Sequence, residues 1–208
     1  MNENYWAAVA RMRLDVADLL AQLSPPEWDR PSLCAGWRVR DVAGHLSLVP
    51  TVTTWEMVRV APAAGFNPHR INTLLAKRYG EQSAPEILSR IRQHAGERRT
   101  ARILDERDSL FDVVVHSQDI AVPLGRVLDV PVWAARQGLD RVWEMGWPFR
   151  APKRLAGLHL RASDTDWERG EGPCVEGAAL PLLLLLTGRT EAALPGLTGG
   201  GVAHLRPA

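Results

Sequence analysis

One helical run constrains this chain more than any other feature. Ser109-Leu-Phe-Asp-Val-Val-Val-His-Ser-Gln-Asp-Ile-Ala-Val122 is apolar on nearly all sides, yet it carries Asp112 and His116 four residues apart. That spacing stacks the two side chains on one helical face. A segment of this kind belongs inside a packed bundle, which predicts a buried Asp112. A buried carboxylate is costly unless a cation or a hydrogen-bond donor compensates it. A second helical run, Val39-Arg-Asp-Val-Ala-Gly-His-Leu-Ser-Leu-Val49, sets His45 on a face with apolar Val42, Leu46 and Val49. Two histidines and a carboxylate on core-facing positions of two helices supply what an open divalent-metal site needs. An ion pair between Asp112 and an arginine or histidine would satisfy the same carboxylate. Spacing alone does not choose between the two arrangements.

The rest of the chain surrounds these runs with more helix. Val9, Met12, Val16, Leu19, Leu20 and Leu23 recur at helical spacing over residues 5–23, until Ser24-Pro-Pro ends the pattern. The stretch from Glu27 to Trp37 reads as a loop, and Pro50 should end or kink the helix that carries His45. Further helical signals cover about His69–Tyr79, a segment starting near Pro85, and Pro131–Trp147. After Trp147 the pattern changes. Leu158 and Leu160 alternate with polar neighbours, Ser163–Asp166 reads as a turn, and Trp167–Gly170 as a partner strand. Leu180–Leu186 suits a helix packed on a small sheet, and Val202–Arg206 reads as a terminal strand. The fold expected is mainly α, with an all-helical domain over residues 1–150 and a small α+β domain over 151–208.

Composition removes several functional classes. Among 208 residues the formal net charge is +1, balanced on both sides of residue 150, so neither part attracts polyanions by bulk charge. Nucleic acid and membrane surfaces are therefore not expected partners. The most apolar run, Ala178–Leu186, falls well short of the ~20 residues that span a bilayer. Met1–Trp6 lacks the basic start of a secretory signal, and a cytoplasmic location is the expectation. Cys34 and Cys174 form neither a CxxC pair nor a disulfide framework, and Cys34 reads as a structural thiol rather than a nucleophile. No G-x-S-x-G, H-E-x-x-H or G-x-G-x-x-G occurs. Asp119 lies one turn beyond His116. It suits either a second carboxylate behind that histidine or a helix-end carboxylate bonded to the following turn, with the second reading slightly favoured. Of eight tryptophans, Trp37, Trp133, Trp143, Trp147 and Trp167 are candidates to line an apolar cavity or simply to fill the core.

At these residues the chain becomes familiar. Pro31-Ser-Leu-Cys-Ala-Gly-Trp-Arg-Val-Arg-Asp-Val-Ala-Gly-His-Leu46 resembles the first signature of the mycothiol-dependent maleylpyruvate isomerase family, within the DinB-like superfamily. The run Asp112–Ala121 with Pro123-Leu-Gly-Arg126 is similar to its second signature. Ala162–Pro173 and Leu183-Leu-Leu-Leu-Thr-Gly-Arg189 resemble its C-terminal domain. The resemblance covers nearly the whole chain, in the same order. It implies a DinB-like four-helix bundle that binds a divalent metal, usually zinc, through His45, Asp112 and His116, followed by a small α+β domain. It implies a functional arginine at Arg189, where a helix-end cation is the competing reading. It also implies mycothiol as thiol cosubstrate.

Two departures from the family pattern stand out. The acid of the second signature is usually glutamate and here is the shorter Asp112. The residue ahead of Val39 is usually Ser or Thr and here is Arg38, which removes the hydroxyl of a capping box and should weaken the helix start.

The chemistry implied is attack of a metal-bound thiolate on an electrophilic small molecule. It gives cis–trans isomerisation of a maleylpyruvate-like diacid, or S-transfer to a substrate with a leaving group. Arg189 and Arg78 are the candidates to hold substrate carboxylates. A metal-dependent hydrolase or lyase using bound water, and a non-catalytic small-molecule binding protein, remain as alternatives.

Overall fold

The computed structural model describes residues 3–98 and 105–205. The chain divides into two compact units, residues 1–128 and 129–208. The first unit holds seven helices among its described residues: α1 Glu3–Leu20, α2 Pro25–Trp28, α3 Val39–Leu48, α4 Thr54–Val60, α5 Pro68–Gly80, α6 Ala84–Gln93 and α7 Asp108–Ala121. Four of them make a ring. α1 packs on α6 and α7, α3 packs on the same two helices, and α5 covers α3 from outside. This is the four-helix bundle expected, with an added helix.

Each helix begins for a local reason. Ser24 and Ser83 are reached back to by Glu27 and Glu86, and Pro25 and Pro85 occupy first-turn positions where a missing N–H costs nothing. Thr53 accepts from the Glu56 amide, and Asn67 from the Arg70 amide. Ser24 therefore opens the short helix α2, whose last two residues, Glu27 and Trp28, fall in the stretch read as loop. α3 stops at Leu48 just before Pro50, and α4 starts separately. α7 has a cap from a distant part of the chain. The Tyr5 hydroxyl accepts from the Leu110 amide at 3.0 Å and donates to the Glu106 carbonyl at 2.9 Å, which ties α1 to the α7 start. Burial pushes the Tyr5 pKa up to about 12, so the hydroxyl keeps its proton for this contact.

At the start of α3 the expectation of a lost capping box needs correcting. Asp41 still accepts from the Arg38 amide at 2.8 Å, so half of the box survives. The Arg38 guanidinium supplies the rest in another way, with Nη2 3.0 Å from Asp41 Oδ1 and Nε 3.2 Å from Oδ2. The same guanidinium reaches Asp29 and Glu81. Asp41 is fully buried, so its charge is satisfied by a cation from its own helix start.

The second unit consists of α8 Val132–Glu144, α9 Ala151–Arg154, a four-stranded sheet, α10 Ala179–Leu186 and the short α11 Thr190–Ala193. The strands are β1 His159–Ala162, β2 Glu168–Arg169, β3 Cys174–Gly177 and β4 Leu197–Thr198, in the order β2-β1-β3-β4. β1 pairs antiparallel with β2 and parallel with β3, and β3 pairs antiparallel with β4. α10 packs on α8 and on the sheet. The division falls earlier than the boundary expected near residue 150, because α8 is the partner that buries the apolar α10. Asp140 on α8 further fixes the unit by accepting from Trp167 Nε1 at 3.1 Å.

The terminal strand expected over Val202–Arg206 is not formed. Gly200–Leu205 is a 3-10 helix, Arg206 lies outside the described residues, and the fourth strand is Leu197–Thr198. The run of glycines at 199–201 explains the difference. Gly199 has φ +100, and a side chain there or at Gly201 would collide with the Cys174 or Pro173 carbonyl, so the chain turns on itself there.

Candidate metal centre

α3 and α7 bring His45, Asp112 and His116 together, with one potential ligand atom from each lying within 4.8 Å of the others. His45 Nε2 is 3.4 Å from Asp112 Oδ1, and His116 Nε2 is 3.5 Å from the same oxygen. Both imidazoles thus turn the same type of nitrogen toward one carboxylate. These separations are long for charge-assisted hydrogen bonds, which run about 2.7–2.9 Å. They suit a shared cation, because two ligands about 2.0–2.1 Å from a tetrahedral zinc stand roughly 3.4 Å apart. The donor set, two imidazole nitrogens and a carboxylate oxygen, fits a divalent transition metal.

Asp112 is less enclosed than the sequence predicts. Its side chain is 24% exposed, while that of His45 is buried. The partial opening gives the carboxylate face of the cluster a path to solvent. Burial works to raise the Asp112 pKa. Its effect is outweighed by the charge and hydrogen bonding of His45, by His116, and by Arg13, which leave it at about 2. The carboxylate is therefore ionised throughout the neutral range and available as a ligand.

Behind His116 lies the carboxylate arrangement that the sequence reading had placed second. Nδ1 donates to Asp119 Oδ2 at 2.8 Å, and Asp119 is fully buried. This bond fixes the ring orientation and leaves Nε2 as the nitrogen turned toward Asp112. The backbone carbonyl of Asp119 also accepts from the Leu33 amide at 3.2 Å, which joins the loop before α3 to α7. That loop delivers Trp37. Its ring lies parallel to His116, centroids 6.2 Å apart, and edge-on to His45 at 5.7 Å. The two imidazoles are 4.6 Å apart.

Arg13 is not among the candidates read from the sequence, yet it faces the cluster electrostatically. It lies four residues after Val9 and three before Val16, on the buried face of α1, and that register was the available signal. Its Nη1 donates to the carbonyls of Ala95 and Glu97, and its charge acts on Asp112. Of the tryptophans proposed as cavity lining, Trp37 reaches the cluster. Trp143 and Trp167 pack edge-to-face in the second unit, and Trp133 and Trp147 are exposed. Cys34 is half-buried, and its backbone bonds hold the loop turn. Arg78 is exposed on α5. Arg189 belongs to the second unit, just after α10, where its Nη1 donates to the Thr187 carbonyl at 2.7 Å.

Comparison with known proteins places the family and the fold. The family described as mycothiol maleylpyruvate isomerase N-terminal domain matches residues 9–121, which include all three candidate ligands. Two crystal structures share the fold, those of a mycothiol-dependent maleylpyruvate isomerase and of its histidine-to-alanine mutant. The mutant superposes with a TM-score of 0.66 at 13% identity, and the unmutated protein with 0.65 at 14%. Each match covers 95% of this chain and 92% of the other. No curated protein sequence matches the chain.

Proposed function

This chain belongs to the mycothiol-dependent maleylpyruvate isomerase family, and on that premise we propose that it is a metal- and thiol-dependent enzyme acting on a small electrophilic molecule. The convergence of His45, Asp112 and His116 carries the reading. These three residues would hold a divalent ion, which we take to be Zn2+. Held by these three residues, such an ion would supply Lewis-acid stabilisation of a deprotonated thiol near neutral pH.

The thiol proposed is mycothiol, and its sulfur adds to an electrophilic carbon of the substrate. With a cis-unsaturated diacid such as maleylpyruvate, addition converts the double bond to a single bond. Rotation and expulsion of the thiol then give the trans isomer, and the thiol is returned unchanged. With a substrate that carries a leaving group, attack by the sulfur breaks the bond to that group, which departs with its electron pair, and a stable S-conjugate remains. The chain's own residues prepare this chemistry. Asp119 orients His116, Trp37 shields both imidazoles, and Asp112 brings a fixed negative charge that Arg13 partly balances. Arg189 is proposed to pair with a substrate carboxylate. A reducing cytoplasm, where thiols persist, is the location this reading requires. Among the described residues no helix is long and apolar enough to cross a membrane.

Elemental analysis of the purified protein, with His116→Ala beside it, tests the reading first. Turnover of maleylpyruvate with and without mycothiol follows. About one zinc per chain, lost in the variant, together with thiol-dependent turnover, is the expected result. Protein that takes up no divalent ion while folded would overturn the metal. Metal-dependent turnover without any thiol would replace the reading with a hydrolase or lyase.

A further inference from the structure

The two histidines of the cluster are not equivalent. His116 is held from behind by a fully buried carboxylate, through the 2.8 Å bond from its Nδ1 to Asp119. The backbone beneath that carboxylate is tied as well, because the Asp119 main-chain carbonyl accepts from the Leu33 amide. His45 is 5% exposed, and its Nδ1 is buried with no hydrogen-bond partner among the described residues. The His45 ring meets Trp37 and His116 edge-on, and its polar contact is made through Nε2 to Asp112. A buried imidazole nitrogen without a partner carries a desolvation cost that neither tautomer removes. A carboxylate behind a ligating histidine raises its basicity and fixes its ring orientation, and loss of such a partner typically costs about 10–100-fold in metal affinity.

We propose that His45 is the weaker, displaceable arm of the centre and that the Asp119–His116 pair is its anchor. The inference rests on the metal reading above and adds to it a division of labour within the ligand set. An anchored side on α7 keeps the ion in place, while the α3 side can yield when a thiol and a substrate must both be accommodated. Asp119 is in this view a positioning residue, acting through His116.

The test is equilibrium affinity for Zn2+ and Co2+, measured by competition with a chromophoric chelator. The proteins compared are the full-length chain, His45→Ala, His116→Ala and Asp119→Asn, with circular dichroism of each metal-free protein as the folding control. His116→Ala should lose at least about tenfold more affinity than His45→Ala, and Asp119→Asn should lose about 10–100-fold with both histidines intact. Equal losses for the two alanine variants, a greater loss for His45→Ala, or an Asp119→Asn affinity within about threefold of the parent would overturn the proposal. If His116→Ala fails to fold, Asp119→Asn decides alone. Failure of the parent protein to bind either ion is a separate outcome, which sinks the metal reading itself before the histidines are compared.

Discussion

Asp112 shows how much a single position depends on its neighbours. In an isolated helix it is an ordinary carboxylate. Here it stands opposite two imidazoles with a buried arginine in reach, and its pKa falls to about 2 from 3.8. A carboxyl whose folded-state pKa is depressed stabilises the fold at pH values above its unfolded pKa, and that contribution is lost as pH falls through the folded value. For Asp112 the window runs from about pH 4 down to about pH 2, and the shift corresponds to roughly 2 kcal/mol. Denaturant midpoints of the metal-free protein, measured across this window, should fall more steeply than those of Asp112→Asn. Parallel curves for the two proteins would show that Asp112 gains nothing from its neighbours. Arg38 makes a second residue-scale case. Removing its guanidinium leaves the buried Asp41 without its cation, although the Arg38 amide bond remains. Arg38→Ala should therefore cost about 2 kcal/mol in chemical denaturation, near the value of a hydrogen bond to a charged group.

Helices α3 and α5 meet backbone to backbone where Gly44 crosses Gly80. A Cβ on Gly44 would lie 2.4 Å from the Gly80 amide nitrogen, and one on Gly80 would lie 2.8 Å from the Arg40 carbonyl. Both obstacles are backbone, so the helices must separate to admit even a methyl group. Gly44→Ala should destabilise the fold by about 1–3 kcal/mol, as overpacking does. The position adjoins His45 on the same helix, so the shift should also lower metal affinity. Gly96→Ala is the control, since nothing lies within 4 Å of a Cβ there. A Gly44→Ala protein that matched the parent in both stability and metal binding would mean that α3 has slack at this crossing. The capping at Tyr5 belongs to the same scale. No local sequence signal announces that a tyrosine of α1 will cap α7, because the partners are 105 residues apart.

On the scale of the whole chain, the proposed metal would join α3 to α7 through His45 and Asp112, which are 67 residues apart in sequence. An ion that binds the folded bundle and not the open chain adds stability by mass action, about 2.7 kcal/mol at a free concentration a hundred times its Kd. Chelation should therefore lower the melting temperature of the first unit. It should also raise amide exchange in α3 and α7 and leave exchange in the β1–β4 sheet of the second unit unchanged. Uniform exchange changes in both units, or none in either, would contradict a centre confined to the bundle.

Much of this was legible in the chain itself. Helical periodicity, prolines and caps place most elements, and the i,i+4 pair in an apolar run marks Asp112 and His116 as a site. The signatures around His45 and Asp112 identify the family, and the change of pattern after Trp147 announces strands. What the sequence could not decide is which groups face one another. Arg13, a charged residue on α1, is turned inward by the register of that helix. Asp119 had two readings, and packing of the loop before α3 against α7 gave it to His116. α8 read as part of the helical domain until α10 proved to need its surface. The terminal strand failed because the chain turns at Gly199, and close carbonyls leave no room for a side chain there or at Gly201. Periodicity is a local property, fixed by hydrogen bonds within a few residues. The partner of a buried charge or an apolar face is chosen by the whole fold, which brings distant segments within contact range only after the helices have formed and packed.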